Sequence, residues 1–278
     1  MTDQTLSQAL ALTPDDDGRL VAALTGAFSN ASQAMPPEKG APFGGLMAAL
    51  AAAATRQGLG IETPLRSLTV QYLAAARFEP IAFVPTLLRG GRNIAYASVA
   101  AGQPDRPALQ ALATFGRDVA GPELTPLVAA AVPVDRIEPT PLNPMFGPWF
   151  TRYIEHRFES GPRLFGLNPP ESPVLRVWMR TADAAPLDEA RLLFLLDGVY
   201  PTYWTALPGP PTISASVDLR ADLFGDLTPE TSPDGWAFFE FRTMDLGGGW
   251  AVEDGVAFAP DGRPLAAVRQ RRKLMPGR

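Results

Sequence analysis

The sequence predicts an α+β fold in which one structural unit, a buried helix followed by antiparallel strands, occurs twice. Three observations lead to this prediction. An alanine-rich helix in the first half of the chain is followed by four strand-like runs. The second half again contains an apolar helix followed by strand-like runs, and a proline-rich stretch separates the two halves. A chain of 278 residues is long enough for two domains of ordinary size.

The first predicted helix covers Phe43–Gln57, with the sequence FGGLMAALAAAATRQ. Alanine and leucine are among the strongest helix formers. The segment is apolar on nearly every side, which indicates a buried helix rather than an amphipathic one. Gly58 and Gly60 follow, and we expect them to end the helix because glycine readily adopts the backbone conformation found at helix C-termini.

Four strand-like runs follow this helix. Their alternating apolar and polar residues are typical of half-buried strands, and Gly90-Gly91 between the second and third runs indicates a hairpin turn. A buried helix with consecutive antiparallel strands predicts a sheet wrapped around a helix, the layout called a hotdog fold. The runs are Ser67–Leu73, Ile81–Arg89, Ile94–Ala101 and Ala108–Phe115.

The pattern is repeated after a proline-rich stretch. Between Asp118 and Pro148 the chain carries seven prolines, which cannot join the interior of a sheet and therefore predict a crossing linker. A second buried helix is predicted over Pro186–Trp204. The strand-like runs of this half are Tyr153–Phe158, Val174–Arg180, Thr212–Leu219, Trp236–Met244, Ala251–Ala259 and Pro264–Leu274.

The two halves can be overlaid as an internal repeat of low identity. A shift of 146 residues places Ser67–Leu73 on Ile213–Leu219, and a shift of 157 places Pro107 on Pro264. The prediction is a double hotdog, with two antiparallel sheets that are each wrapped around a long central helix. Its predicted parts are an N-terminal hotdog (1–117), a proline-rich linker (118–148) and a C-terminal hotdog (149–278).

The composition excludes several classes of function. The chain has no cysteine and one histidine, which removes disulfides, thiolate nucleophiles and histidine-rich metal sites. It contains no GxSxG, Walker or dinucleotide-binding motif. The net charge of −5 argues against a nucleic-acid partner. Without a signal-peptide pattern or an apolar run long enough to cross a bilayer, the expectation is a soluble cytoplasmic protein that needs no membrane, metal or cofactor.

Seven segments follow one another in a recognisable order along the chain. They are FGGLMAALAAAATRQ, RSLTVQYL, LLRGGRNIAYASVAA and ALQALATF in the first half, and LLFLLDGVYP, PTISASVDL and PLAAVRQRRKL in the second. Their order resembles that of the acyl-CoA thioesterase II family, and the resemblance extends over Phe28–Leu274. It implies that the protein hydrolyses an acyl-CoA to a free acid and CoA, and that it forms a homodimer.

The resemblance also implies a catalytic trio of Asp, Thr and Gln in the second half. Carried over to this chain, these residues are Asp197, Thr212 and Gln270, with Ser214 and Ser216 as competitors for the threonine. Asp197 interrupts an apolar run, and a buried carboxylate is costly unless it is hydrogen-bonded or neutralised. It is therefore either functional or structurally satisfied. The alternatives for the other two are an ordinary strand start and a surface glutamine.

The repeat predicts one chemical centre per chain. The first-half positions that overlay the trio are Ala51, Arg66 and Ala113, which cannot do the same chemistry. In the predicted reaction, Asp197 is the general base for a water molecule that the other two residues hold. Gly44 and Gly45 permit a ligand to approach the amides at the start of the first helix, or they serve tight packing instead.

The remaining predictions concern the acyl group and two competing functions. The walls of an acyl groove are predicted at Phe43, Met47, Tyr72, Phe194 and Trp204, with ordinary core packing as the alternative. A hotdog hydratase or dehydratase would need a catalytic histidine. The single histidine, His156, is the candidate, and it is expected at the surface because its neighbours are charged. A non-catalytic acyl-CoA or lipid-binding protein would use the same groove.

A basic cluster closes the last predicted strand. It is either the solvated end of that strand or a contact for an anionic group such as a nucleotide phosphate. Its members are Arg269, Arg271, Arg272 and Lys273.

Overall fold

The computed structural model describes residues 4–140, 142–161, 173–207 and 212–275. Within these ranges the chain forms three α-helices and twelve β-strands. None of these helices is both long and apolar enough to cross a membrane. The helices are α1 (Leu6–Ala9), α2 (Gly44–Leu59) and α3 (Glu189–Leu195). The strands are β1 (Thr13–Pro14), β2 (Leu20–Ala23), β3 (Leu65–Tyr72), β4 (Pro80–Gly90), β5 (Ile94–Gln103), β6 (Arg106–Gly116), β7 (Ile154–Ser160), β8 (Val174–Thr181), β9 (Ser214–Leu223), β10 (Ala237–Gly247), β11 (Trp250–Phe258) and β12 (Pro264–Leu274).

All twelve strands belong to one antiparallel sheet. Their order is β1-β2-β4-β5-β6-β3-β9-β12-β11-β10-β8-β7. The two predicted sheets meet edge to edge where β3 pairs with β9, with Leu68 opposite Ala221 and Val70 opposite Leu219. This pairing satisfies the backbone N–H and C=O groups that two free edges would leave exposed. The two halves therefore share one continuous backbone ladder.

Helix α2 is the central helix of the first half. Ala48, Ala49, Leu50 and Ala51 are completely buried, as its all-round apolar sequence predicts. The helix ends at Gly60, whose φ of 60° is left-handed and whose N–H bonds the last helical carbonyls. The second-half helix packs against it, and an ion pair between Arg56 and Glu189 (2.6 Å) links the two helices.

Helix α3 is shorter than the predicted segment Pro186–Trp204. It starts at the N-cap Asp188, whose carboxylate accepts from a backbone N–H of the first turn, and it ends at Leu195. Gly198 and Pro201 lie just beyond it, and both residue types disfavour helix continuation. The chain instead turns and forms a short 3₁₀ segment at Thr202–Thr205. Because the helix ends early, the segment around Asp197 lies on a turn beside the sheet.

The proline-rich stretch packs against the outer face of the second-half sheet. The indole of Trp178 donates to the carbonyl of Val132 (2.8 Å). The apolar residues that meet there are Ala129, Ala131, Val134 and Ile137 from the linker and Trp178, Trp236, Phe238 and Phe258 from the sheet region. The division of the chain at residues 117 and 149 stays a prediction.

Candidate active site

A buried polar cluster lies between the end of α3 and the inner face of the second-half sheet. Asp197 follows α3 by two residues and is 6% exposed. Gln270 on β12 is 5% exposed, and it shares the inner face of that strand with Val268 and Ala266. Its side-chain nitrogen donates to Asp197 Oδ1 at 2.8 Å. The structure therefore brings together two of the three residues of the predicted trio.

The hydroxyl in contact with this pair belongs to Ser216. Gln270 Nε2 donates to Ser216 Oγ at 2.7 Å. Thr212 precedes β9, and its backbone carbonyl accepts from the hydroxyl of Tyr203 (3.2 Å) and the indole N–H of Trp204 (3.1 Å). Of the three hydroxyl residues considered from the sequence, Ser216 thus occupies the position expected for Thr212.

A β-bulge explains why Ser216 faces inward. On β12, Gln270 pairs with Leu219 and Arg271 with Asp218, but Arg272 pairs with Ser216. One residue of β9 is skipped at this point. The bulge therefore moves an even-numbered side chain onto the face that Leu219 and the other odd-numbered residues occupy further along. Alternation along the sequence does not reveal a bulge, so it could not select Ser216.

Arg272 is the central cation of the cluster, and its side chain is only 11% exposed. Its Nη2 donates to Asp197 Oδ1 (3.2 Å) and to Gln270 Oε1 (2.5 Å), and its Nη1 donates to Ser216 Oγ (3.3 Å). The predicted basic cluster is thus divided. Arg272 points inward, whereas Arg269 is exposed and pairs with an aspartate of β11.

Behind Arg272 lies Glu253 of β11, which is 6% exposed. Its Oε2 accepts from Arg272 Nε (2.7 Å), and its Oε1 accepts from both the hydroxyl (2.7 Å) and the backbone N–H of Thr202. This carboxylate was not among the site residues predicted from the sequence. The alternation along β11 could have revealed it, because Glu253 lies on the same face of the strand as the small residues Ala251 and Gly255, which mark the inner face.

The ionisation of Asp197 depends on opposing effects. Burial raises the pKa of its carboxyl above the ordinary value and is the largest effect. The positive charge of Arg272 and the hydrogen bond from Gln270 act in the opposite direction, and the negative charge of Glu253 adds to the rise. The net result is a carboxylate of higher basicity than a solvent-exposed aspartate, which suits a group that accepts a proton.

The first half contributes the other wall of the cluster. A Cβ atom added to Gly44, the first residue of α2, would lie 2.7 Å from Asp197 Oδ2. Among the described residues, none forms a hydrogen bond to this oxygen, whereas Oδ1 accepts from both Gln270 and Arg272. Oδ2 therefore faces the helix N-terminus, where the helix dipole is positive.

Tyr72 belongs to the same wall. Its hydroxyl donates to the carbonyl of Gly44 at 2.9 Å. Burial, together with the negative charge of Asp197, raises the pKa of the Tyr72 hydroxyl well above its usual value, so the phenol remains protonated. The predicted member of the acyl groove is thus placed beside the carboxylate.

Three other predicted groove residues, Phe43, Met47 and Phe194, pack in the core, whereas Trp204 is half-buried. Phe43 stacks on a neighbouring phenylalanine with a ring separation of 3.7 Å and meets Phe194 edge-on at 5.1 Å. Met47 is 4% exposed. A Cβ at Gly45 would lie 2.6 Å from the carbonyl oxygen of Phe194, so this glycine permits close helix packing. These contacts agree with the packing alternative, and a role in substrate binding stays a prediction.

The expectation that His156 lies at the surface is wrong. Its side chain points inward from β7 and is 4% exposed. Its Nε2 donates to the backbone carbonyl of Gly198 at 3.1 Å. Gly198 directly follows Asp197 in the chain. Burial lowers the pKa of this imidazole to about 4, so it is neutral near pH 7. The charged neighbours suggested exposure, but strand alternation places them on the opposite face.

The first-half counterparts of the trio do not form a second centre. Ala51 and Ala113 are buried apolar residues. Arg66 forms ion pairs with Asp118 (2.7 Å) and Asp226 (3.0 Å). Among the described residues there is also no group of three or more histidine, aspartate or glutamate side chains that could hold a metal ion.

Solved structures with the same architecture include three that cover almost the whole chain. A hot dog fold protein from Alicyclobacillus acidocaldarius has a TM-score of 0.85 and 22% identity, and 98% of each chain is covered. A putative thioesterase from Novosphingobium aromaticivorans has a TM-score of 0.78 and 23% identity, with 96% of this chain and 99% of that chain covered. For the acyl-CoA thioesterase II TesB2 from Mycobacterium marinum the values are 0.72 and 20%, with 98% and 97% covered. The predicted double-hotdog fold is confirmed.

The family follows from the sequence itself. The family model of the acyl-CoA thioesterase N-terminal domain matches residues 31–116, and that of the C-terminal domain matches residues 129–271. This chain belongs to the acyl-CoA thioesterase family and is an enzyme of that class. The resemblance found in the sequence is thereby confirmed. A search of curated proteins gave no match.

Proposed function

We propose that this protein hydrolyses an acyl-CoA to a free acid and CoA with a water molecule held by Asp197, Ser216 and Gln270. The observation that supports this trio is the Gln270 amide, which donates to both the carboxylate and the hydroxyl. Ser216 replaces Thr212 in the predicted trio because only the serine hydroxyl contacts the amide. Cytoplasmic location and homodimer formation stay predictions.

In the proposed reaction, Asp197 Oδ2 removes a proton from water. Oδ1 is occupied by two donors, which leaves Oδ2, next to Gly44 of α2, as the oxygen that takes up the proton. The water oxygen forms a bond to the thioester carbonyl carbon. The C–S bond then breaks, and the proton on Asp197 passes to the departing CoA sulfur. The Ser216 hydroxyl, whose oxygen accepts from Gln270 and Arg272, donates its hydrogen to the water, and Gln270 holds Ser216 and Asp197 in place around it. This positioning lowers the entropic cost of the attack.

The negative charge on the carbonyl oxygen needs donors in the addition step. The start of α2 at Gly44 supplies backbone N–H groups and a positive dipole end opposite Asp197. Gly44 has no side chain to block the approach. The first half thus contributes to catalysis although it lacks a polar trio of its own.

The hydratase or dehydratase alternative loses support from the position of His156. A base of that type must present a ring nitrogen to the substrate. Here Nε2 donates to the carbonyl of Gly198, and the ring is buried against Phe158. The acyl-binding alternative is left to experiment.

The test is thiol release from a panel of short, long and aromatic acyl-CoAs, followed with a thiol-reactive dye. The protein has no cysteine and gives no background. Asp197→Asn should lower kcat about 10²- to 10⁴-fold, the usual contribution of a general base. Asp254→Asn is the matched control, because Asp254 lies next to Glu253 but pairs with an arginine on the outer face.

Two results would count against the proposal. Parental kcat in Asp197→Asn would remove this carboxylate from the chemistry. Tight binding of acyl-CoA without thiol release across the panel would favour the acyl-binding alternative.

A further inference from the structure

Arg272 contacts every member of the proposed trio. Its guanidinium donates to Asp197, Ser216 and Gln270 on one side and to Glu253 on the other. We propose that Arg272, anchored by Glu253, is a positioning residue that fixes the orientation of the Gln270 amide and keeps Asp197 ionised. This inference rests on the proposed function.

The neighbours of the Gln270 amide determine its orientation. A glutamine amide has an oxygen that accepts and a nitrogen that donates, whereas arginine only donates. With Arg272 Nη2 at 2.5 Å, the side of the Gln270 amide that faces the arginine must be its oxygen. The NH₂ group is then directed towards Asp197 and Ser216. A neutral side chain at position 272 would permit the reversed amide, whose oxygen would repel the carboxylate.

Arg272 also balances the negative charge around Asp197. The titratable groups that face Asp197 are Arg272 from β12, Glu253 from β11 and the hydroxyl of Tyr72 from β3. The Tyr72 hydroxyl stays neutral. The imidazole of His156 from β7 is neutral near pH 7 as well. Arg272 is therefore the positive charge that offsets two buried carboxylates, and without it both would be left uncompensated.

Glu253 anchors Arg272 within the site. Glu253 bonds Arg272 Nε and also the backbone N–H and hydroxyl of Thr202. Thr202 lies five residues after Asp197, and its hydroxyl also contacts that of Thr243 on β10 at 2.7 Å. The carboxylate of Glu253 therefore ties Arg272 to the chain segment that carries the proposed base.

A substrate-free titration tests the charge argument. Protein with ¹³C-labelled aspartate is followed by NMR from low to high pH, and the Asp197 signal is assigned by its loss in Asp197→Asn. The titration midpoint of Asp197 should move to higher pH in Arg272→Met and to lower pH in Glu253→Gln. Arg271→Met removes an exposed arginine from the outer face of the same strand and should leave the midpoint unchanged.

An unchanged midpoint in Arg272→Met, or a rise in Glu253→Gln, would overturn the inference. If Arg272→Met does not fold, the direction of the shift in Glu253→Gln still decides, because that variant keeps the size of the side chain and one of its two accepting oxygens. Because the titration needs no substrate, its outcome is separate from whether the protein hydrolyses acyl-CoA.

Kinetics test the positioning argument. In Arg272→Met, kcat should fall about 100-fold with KM nearly unchanged, because misplacement of catalytic groups acts on the chemical step. Arg272→Lys should fail to restore kcat, since one ammonium group cannot reach the sites that the guanidinium fork bonds at once. Parental kcat in the lysine variant would refute the positioning role.

Discussion

Replacement of Gly44 by alanine tests whether the start of α2 belongs to the active site. The added Cβ would lie 2.7 Å from Asp197 Oδ2 and 3.4 Å from the hydroxyl oxygen of Tyr72. Ordinary contact begins at 3.4 Å, so the Cβ and Oδ2 must separate by about 0.7 Å, the difference between 3.4 and 2.7 Å. Asp197 cannot retreat freely, because its other oxygen is bonded to Gln270 and Arg272.

The expected loss follows from this displacement. A misplacement of about 1 Å can lower the rate about 100-fold, so Gly44→Ala should lower kcat roughly 10- to 100-fold. The fold should persist, since alanine in a helix is up to about 1 kcal/mol more favourable than glycine and offsets part of the strain. Activity and stability are therefore expected to respond differently to the same substitution.

The assay is kcat for thiol release, together with thermal unfolding followed by circular dichroism. Gly225→Ala is the matched control, because a Cβ at Gly225 meets no atom within 4 Å. Parental kcat in the single Gly44 variant would refute the placement of Asp197 against α2.

Two further predictions concern the hydroxyl and the histidine. Ser216→Ala should lower kcat about 10-fold, the effect of losing a hydrogen bond worth about 1.5 kcal/mol. Thr212→Val should change kcat little, because Thr212 contributes only its backbone carbonyl. A larger loss of thiol release in Thr212→Val than in Ser216→Ala would restore Thr212 to the trio. The pKa of His156 is lowered by burial from 6.5 to about 4, so its contribution to stability is full above pH 6.5 and is lost as the pH falls towards 4. Urea unfolding should show that the free energy of unfolding falls by about 3 kcal/mol over this pH range. His156→Gln should remove most of this pH dependence. An equal pH dependence in the variant would assign the effect to other groups.

The residues of the candidate site were predictable in part. Asp197 stood out as a carboxylate in an apolar run, and Gln270 as the amide of the last strand. Arg272 was predicted only as one of four basic residues that are either solvated or in contact with an anionic group, and Glu253 was not recognised. A charged side chain at the inner face of a strand looks, in sequence, like a surface residue. The ion pair between Arg272 and Glu253 offsets the desolvation cost of burying both charges.

The sequence by itself determined the repeated architecture. Alanine and leucine around Leu50 require a buried helix, and alternation along runs such as Pro264–Leu274 requires strands with one buried face. These are local properties, so a single sequence contains them. Only the tertiary structure decided that Ser216 rather than Thr212 meets Gln270, because a bulge shifts the register of β9 against β12. Register and bulges arise from pairing between distant segments, and no local pattern specifies them.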